Sequence, residues 1–302
     1  MKIDIYDKYQ GKIIEEIVPA RSILSWIYTT KLGNLIRPFF ISKGFSKFYG
    51  YIKRRKGRLA IENMVSRTGI KLDDFESVSR GSSIESYRDY HEFFIRKFRP
   101  GKRNFDPQTR YLPAPCEARY LLYENINLQE TMKVKLHEID IVQLIGGQAV
   151  GTKVDLEKYR GGALLIARLA PQDYHRFHFP GEGEILDVFE IDGNLDTVTD
   201  FGIKYNPKVL LRNHRFVSEL KLKSLGYILY IEVGALSVGK IRHTHQRKEF
   251  KTLEEKGFFE VGGSTVILVF QKNNIQFDKK LVEYSQKGVE CFFQVGDKIG
   301  EL

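Results

Sequence analysis

Only two cysteines, Cys116 and Cys291, occur in 302 residues. That is too few for a disulfide framework or, unaided, a zinc knuckle, so a hydrophobic core must hold the fold and both thiols are expected to be reduced. No run of about 18 or more uncharged apolar residues exists, because Arg21, Lys31, Arg37, Lys43 and Lys47 interrupt every candidate; a membrane-spanning helix is excluded. Low-complexity segments, internal repeats and long linkers are also missing, so neither a disordered tail nor a solenoid is expected. The stretch Met1-Lys2-Ile3-Asp4-Ile5-Tyr6-Asp7 lacks a signal peptide's apolar core and carries acids that a transit peptide avoids; the chain is expected to stay where it is made.

Acidic residues are scarce near the start. Residues 1–60 hold thirteen Lys and Arg against four acids, which accounts for nine of the ten net positive charges. A basic region often marks nucleic-acid binding, but no such module is present and large apolar residues interleave with these charges at helical spacing. Ile41, Phe45, Phe48 and Ile52 make one stripe, with Lys43, Lys47 and Arg54 off it. Trp26, Tyr28, Tyr49 and Tyr51 are the kind of amphipathic side chains that anchor at bilayer surfaces, and Lys53-Arg54-Arg55-Lys56 follows directly. The expected partner is an anionic phospholipid membrane, bound peripherally at the cytoplasmic face of the cell membrane. No nucleic acid is expected.

A hydrophobic content of 42% and charged content of 28% fit a globular chain with a sizeable core. Residues 1–18 read as an extended start with a turn near Gly11, and 20–37 as a helix ended by Pro38. A mixed helical region follows, to about residue 105. Thereafter short β-rich runs take over: Tyr120–Tyr123, Ala163–Ala167, Glu184–Phe189, Tyr227–Val233, Val266–Phe270 and Val289–Gln294. The expected fold class is α+β. A helical, basic, membrane-associating extension (1–105) precedes a mostly antiparallel, sandwich-like or barrel-like catalytic domain (106–302).

Gly262-Gly263-Ser264-Thr265 stands just before the apolar run Val266–Phe270. Glycine at 263 leaves room for a strained turn that brings the Ser264 hydroxyl onto the preceding carbonyl. A serine needs a base to react at neutral pH, and histidine is the natural one. Two histidines sit three apart in Arg168-Leu169-Ala170-Pro171-Gln172-Asp173-Tyr174-His175-Arg176-Phe177-His178. Together these segments resemble the phosphatidylserine decarboxylase family. Tyr90–Gly101, Pro113-Ala114-Pro115-Cys116-Glu117 and Val233–Ile241 match it too, in the same order along the chain.

The resemblance implies a proenzyme that cuts itself between Gly263 and Ser264, by serine attack, ester formation and β-elimination. A β chain (1–263) and an α chain (264–302) would remain as a heterodimer, open to further dimerisation, with residue 264 converted to a covalent pyruvoyl cofactor. That group would form a Schiff base with phosphatidylserine and yield phosphatidylethanolamine and carbon dioxide. It further implies His178 as the base for self-cleavage, Glu117 as the acid that orients His178, and His175 as the acid/base of decarboxylation. The family usually has aspartate where this chain has Glu117, one methylene longer. Arg168 reads as a paired or solvated residue outside the site. The rivals are an uncleaved lipid-binding pseudoenzyme and a zinc hydrolase built on His243-Thr244-His245, whose neighbours Lys240, Arg242, Arg247 and Lys248 would repel a dication. No metal is expected.

Overall fold

The computed structural model describes residues 4–16, 26–40, 42, 44–45, 57–77, 79, 81–103, 111–135, 137–147, 154–198, 200–235, 241–262 and 264–302. Its centre is a ten-stranded sheet. In spatial order the strands are Glu249–Phe250, Gly183–Ile191, Arg215–Leu222, Gly226–Gly234, Ser264–Phe270, Ala163–Leu169, Ala118–Glu124, Glu290–Phe293, Asp4–Asp7 and Lys12–Glu15. All neighbours run antiparallel except Asp4–Asp7, which lies parallel to Glu290–Phe293. The fold is α+β, as the sequence implies, and each β-rich run read from it is a strand.

The central strand Ser264–Phe270 is buried at every position. Its alternate side chains feed two cores: Val266, Leu268 and Phe270 pack with Phe177, Phe179 and Phe259, while Ile267 and Val269 pack with Ile166, Ile231 and Leu210. Burial on both faces explains why this segment reads as a continuous β-branched and aromatic run rather than an alternating one. Each such side chain contributes about 1.5–3 kcal/mol. By the same alternation Ser264 belongs to the face that carries Val266. That face is covered by a small sheet of Ile241–His243, Glu255–Phe259 and Arg176–His178. Gly257 makes the close packing possible, since a Cβ there would meet the Arg242 carbonyl oxygen at 2.1 Å and the Phe177 ring at 2.8 Å.

Three expectations change. The extended start is present as a hairpin turned at Gly11 (φ 64°), but it forms the edge of the main sheet, so a division at residue 105 does not follow the sheet. Pro38 lies inside the helix Lys31–Phe40 instead of ending one. Tyr28 is buried, not presented as a surface anchor, and its hydroxyl donates to Asp196. Of the Ile41/Phe45/Phe48/Ile52 stripe only Phe45 is described; Lys53, Arg54, Arg55 and Lys56 lie outside the described residues, as does Gly263.

Candidate active site

Ser264 is the first residue of its strand, held in register between Gly234 and Leu169, and is wholly buried. Gly262, two residues earlier, has φ 151°, a conformation that other residues rarely adopt. Opposite lies the segment 170–178. His175 Nδ1 is 3.3 Å from Ser264 Oγ, and His175 Nε2 is 3.0 Å from the Ala170 carbonyl oxygen. A carbonyl only accepts, so Nε2 carries the ring proton and Nδ1 is left to accept from the Ser264 hydroxyl. Burial, aided by Arg96, pushes His175 down to about 3. Its ring stacks on Phe94, centroids 3.9 Å apart.

His178 occupies different surroundings. Its backbone N–H donates to the Pro115 carbonyl at 2.9 Å, and its Nδ1 meets the same oxygen at 3.3 Å. The same reasoning puts the proton on Nδ1 and leaves Nε2 as the basic nitrogen. Burial lowers His178 to about 4, while the Glu255 carboxylate, directly across the strand pair, acts in the opposite direction. Tyr174 stacks over the ring.

The expected Ser264–His178–Glu117 chain is therefore not assembled by side-chain contacts. Among the described residues no hydrogen bond or ion pair joins His178 to Ser264 or to Glu117. Glu117 instead accepts from Arg103 Nε and Nη2 at 2.8 and 2.6 Å. Burial pushes it up to about 7 against the pull of Arg103. The Glu117 carboxylate is thus engaged by Arg103 and not by the His178 ring. The Pro115-Cys116-Glu117 segment does orient His178, but through the Pro115 carbonyl.

Sequence reasoning missed what holds His175. The buried Asp173 carboxylate accepts from the Ala170 N–H at 2.6 Å and from Arg119, and the Asp173 N–H donates to the Ala170 carbonyl at 2.9 Å. Asp173 thus braces the turn whose carbonyl fixes the His175 tautomer. Arg96 donates to the carbonyls of Gln172 and Asp173 at 2.8 and 3.0 Å, so the Tyr90–Gly101 block buttresses the same turn. A signal existed, because Asp173 lies in the Asp173-Tyr174-His175 run. Arg168 is buried and doubly paired, with Glu290 and Glu16. Cys116 and Cys291 are both free and buried.

His243 and His245 point to separate partners: His243 Nε2 lies 3.6 Å from Glu232, and His245 Nδ1 lies 3.2 Å from Glu254. Among the described residues no group of three or more His, Cys, Asp and Glu side chains is arranged to hold a metal ion.

The family model described as phosphatidylserine decarboxylase matches residues 90–301. The chain belongs to the phosphatidylserine decarboxylase family. It is similar to the phosphatidylserine decarboxylase proenzyme of Chlamydia felis, 33% identical over 99% of this chain and 98% of the relative. The proenzyme of Clostridium tetani shows the same identity and coverage, and that of Fusobacterium nucleatum is 31% identical over 99% and 97%. The chain is accordingly an enzyme of this decarboxylase family, and its relatives carry proenzyme names along nearly their whole length.

Proposed function

We propose that this chain is a proenzyme that cleaves itself between Gly263 and Ser264 and then decarboxylates phosphatidylserine to phosphatidylethanolamine. The observation that carries the reading is a wholly buried Ser264 whose hydroxyl faces His175, two residues after Gly262, whose φ of 151° is open to glycine and rare for other residues. The pyruvoyl group fits here because it is made from residue 264 itself and needs no more room than the serine. When formed, it supplies a conjugated carbonyl that accepts the electron pair left by departing carbon dioxide.

The electrostatics divide the work between the histidines. A general base becomes cationic as it takes a proton, so it needs a carboxylate nearby and a route to solvent. His178 has Glu255 opposite and is half-buried, and His175 has Arg96 and Arg119 nearby, which oppose a positive charge. His178 is the base for self-cleavage, oriented by Pro115 with Glu117 supporting that segment through Arg103. His175, against residue 264, is the acid/base group of decarboxylation. As the Ser264 hydroxyl turns from His175, its Oγ attacks the Gly263 carbonyl carbon and His178 takes the proton; that proton then passes to the Ser264 nitrogen as the Gly263–Ser264 C–N bond breaks, so the amide becomes an ester. A second reading is favoured by the 3.3 Å contact: His175 itself takes the Ser264 proton.

After cleavage the two chains stay together as a heterodimer. Residues 264–302 supply the central strand and Glu290–Phe293, each paired on both sides by the larger chain. Docking at the cytoplasmic face of the cell membrane is part of the proposal. The helix Lys31–Phe40 exposes Leu32 (58%), Leu35 (76%) and Phe39 (65%) on one side, with basic Lys31 and Arg37 nearby. No helix among the described residues is long and apolar enough to cross a membrane.

Intact mass and a denaturing gel of freshly purified protein test the reading. Two chains split before Ser264, the smaller blocked at its N-terminus, are expected together with carbon dioxide release from phosphatidylserine vesicles. A single uncut chain with no release would refute it.

A further inference from the structure

The loop that holds His175 is connected to the first strands of the chain by unbroken contacts. Glu16, which directly follows the strand Lys12–Glu15, is buried although its neighbour Glu15 is exposed. Its Oε1 lies 2.7 Å from Arg119 Nε, and its Oε2 accepts from Arg168 Nη2 at 2.8 Å. Arg119 and Arg168 face each other across adjacent strands, so Glu16 lies between two buried guanidinium groups that would otherwise repel. Arg119 reaches on to Asp173, Asp173 braces Ala170, and the Ala170 carbonyl holds His175 Nε2. Arg168 reaches Glu290 on the other side, in the segment 264–302.

We propose that Glu16 is a positioning residue for His175, and that the N-terminal hairpin is thereby part of the active site although it lies at the edge of the sheet. The physical reason is charge balance. Asp173 holds Arg119 and Glu290 holds Arg168, each from its own side, but only the Glu16 carboxylate bridges the two guanidinium groups; without it their mutual repulsion in a poorly solvated interior drives them apart. A shift of Arg119 takes Asp173 with it and loosens the carbonyl that fixes the His175 ring. This inference rests on the proposed role of His175 for its effect on turnover, but not for its effect on the ring itself.

The test separates the two. Protein labelled with 15N-histidine is prepared as the uncleavable Ser264→Ala proenzyme, with and without Glu16→Gln, and the ring nitrogens of His175 are assigned by loss in His175→Ala. With Glu16 intact, His175 should show one protonated Nε2 and slow exchange of that proton. Glu16→Gln should mix the two tautomers and speed exchange, whereas Lys12→Ala, on the same hairpin but exposed, should leave the signal in place. In cleavable protein Glu16→Gln should still mature and should lose about 10²-fold in kcat, the cost of a small misplacement. If Glu16→Gln fails to fold, Glu16→Asp is read instead, since it keeps the charge but not the reach. An unchanged His175 signal overturns the inference whatever the activity does. Absence of cleavage in the wild-type chain would count against the proposed function and leave the ring measurement standing.

Discussion

His175 and His178 are three residues apart in one segment and occupy opposite electrical surroundings. His175 is sealed, packed on Phe94, fixed by a backbone carbonyl and flanked by arginines. His178 is half-buried, fixed by a different carbonyl and set across from Glu255. The difference teaches that spacing delivers two rings to one site, while the elements packed on each ring decide what each can do. One environment favours a neutral group held against residue 264. The other tolerates a transient positive charge.

The largest expected effect removes the group at the centre of the comparison. Ser264→Ala should abolish cleavage and decarboxylation together, because alanine has neither nucleophile nor leaving oxygen; gel and carbon dioxide assays on the same sample check this. Asp173→Asn acts on the sealed side only. It should mature, keep its fold by thermal melting, and lose about 10²-fold in decarboxylation as the Ala170 turn loosens.

Glu117→Gln acts on the other side and should matter less. The Pro115 carbonyl orients His178, so cleavage should slow by less than about tenfold, a barrier change below about 1.4 kcal/mol. A complete block, read on a timed gel, would mean that the carboxylate orients the ring after all. The smallest effect is on stability against pH. Folding holds His175 and His178 at about 3 and about 4, below the ordinary histidine value. Their stabilising contribution is therefore full above about pH 6.5 and is lost as pH falls toward 4 and then 3. Glu117, raised to about 7, acts with the opposite sign, so thermal melts between pH 7 and 4 are best compared in the Glu117→Gln background. A melting temperature that does not fall with pH there would contradict both burial assignments.

The strands were legible because their side chains are buried and β-branched, and Ser264 was legible because its glycine pair, a weak signal alone, occurs together with the two-histidine segment Arg168–His178 in one family resemblance. The two histidines were legible as a pair. Their partners were not. Glu117 reads as a substitute for aspartate, and only the fold shows Arg103 capturing it. Asp173, Arg119 and Glu16 are far apart in the chain or indistinguishable from surface charges until the sheet brings them together. The N-terminal hairpin was legible as extended chain, but its parallel pairing with Glu290–Phe293 depends on contacts across nearly the whole sequence. Tyr28 was misread for the same reason, since its burial against Asp196 is a long-range contact; the placement of the exposed Pro38 inside a helix has no such packing behind it.

The most direct test of the division between the histidines is the cleaved fraction against time for His175→Ala and His178→Ala, with decarboxylation measured on the same preparations. The account predicts that His178→Ala stays uncut, whereas His175→Ala is cut to the 264–302 fragment and loses most decarboxylation. An uncut His175→Ala beside a normally cut His178→Ala would contradict it and establish that the 3.3 Å contact with Ser264 is the one that carries the proton.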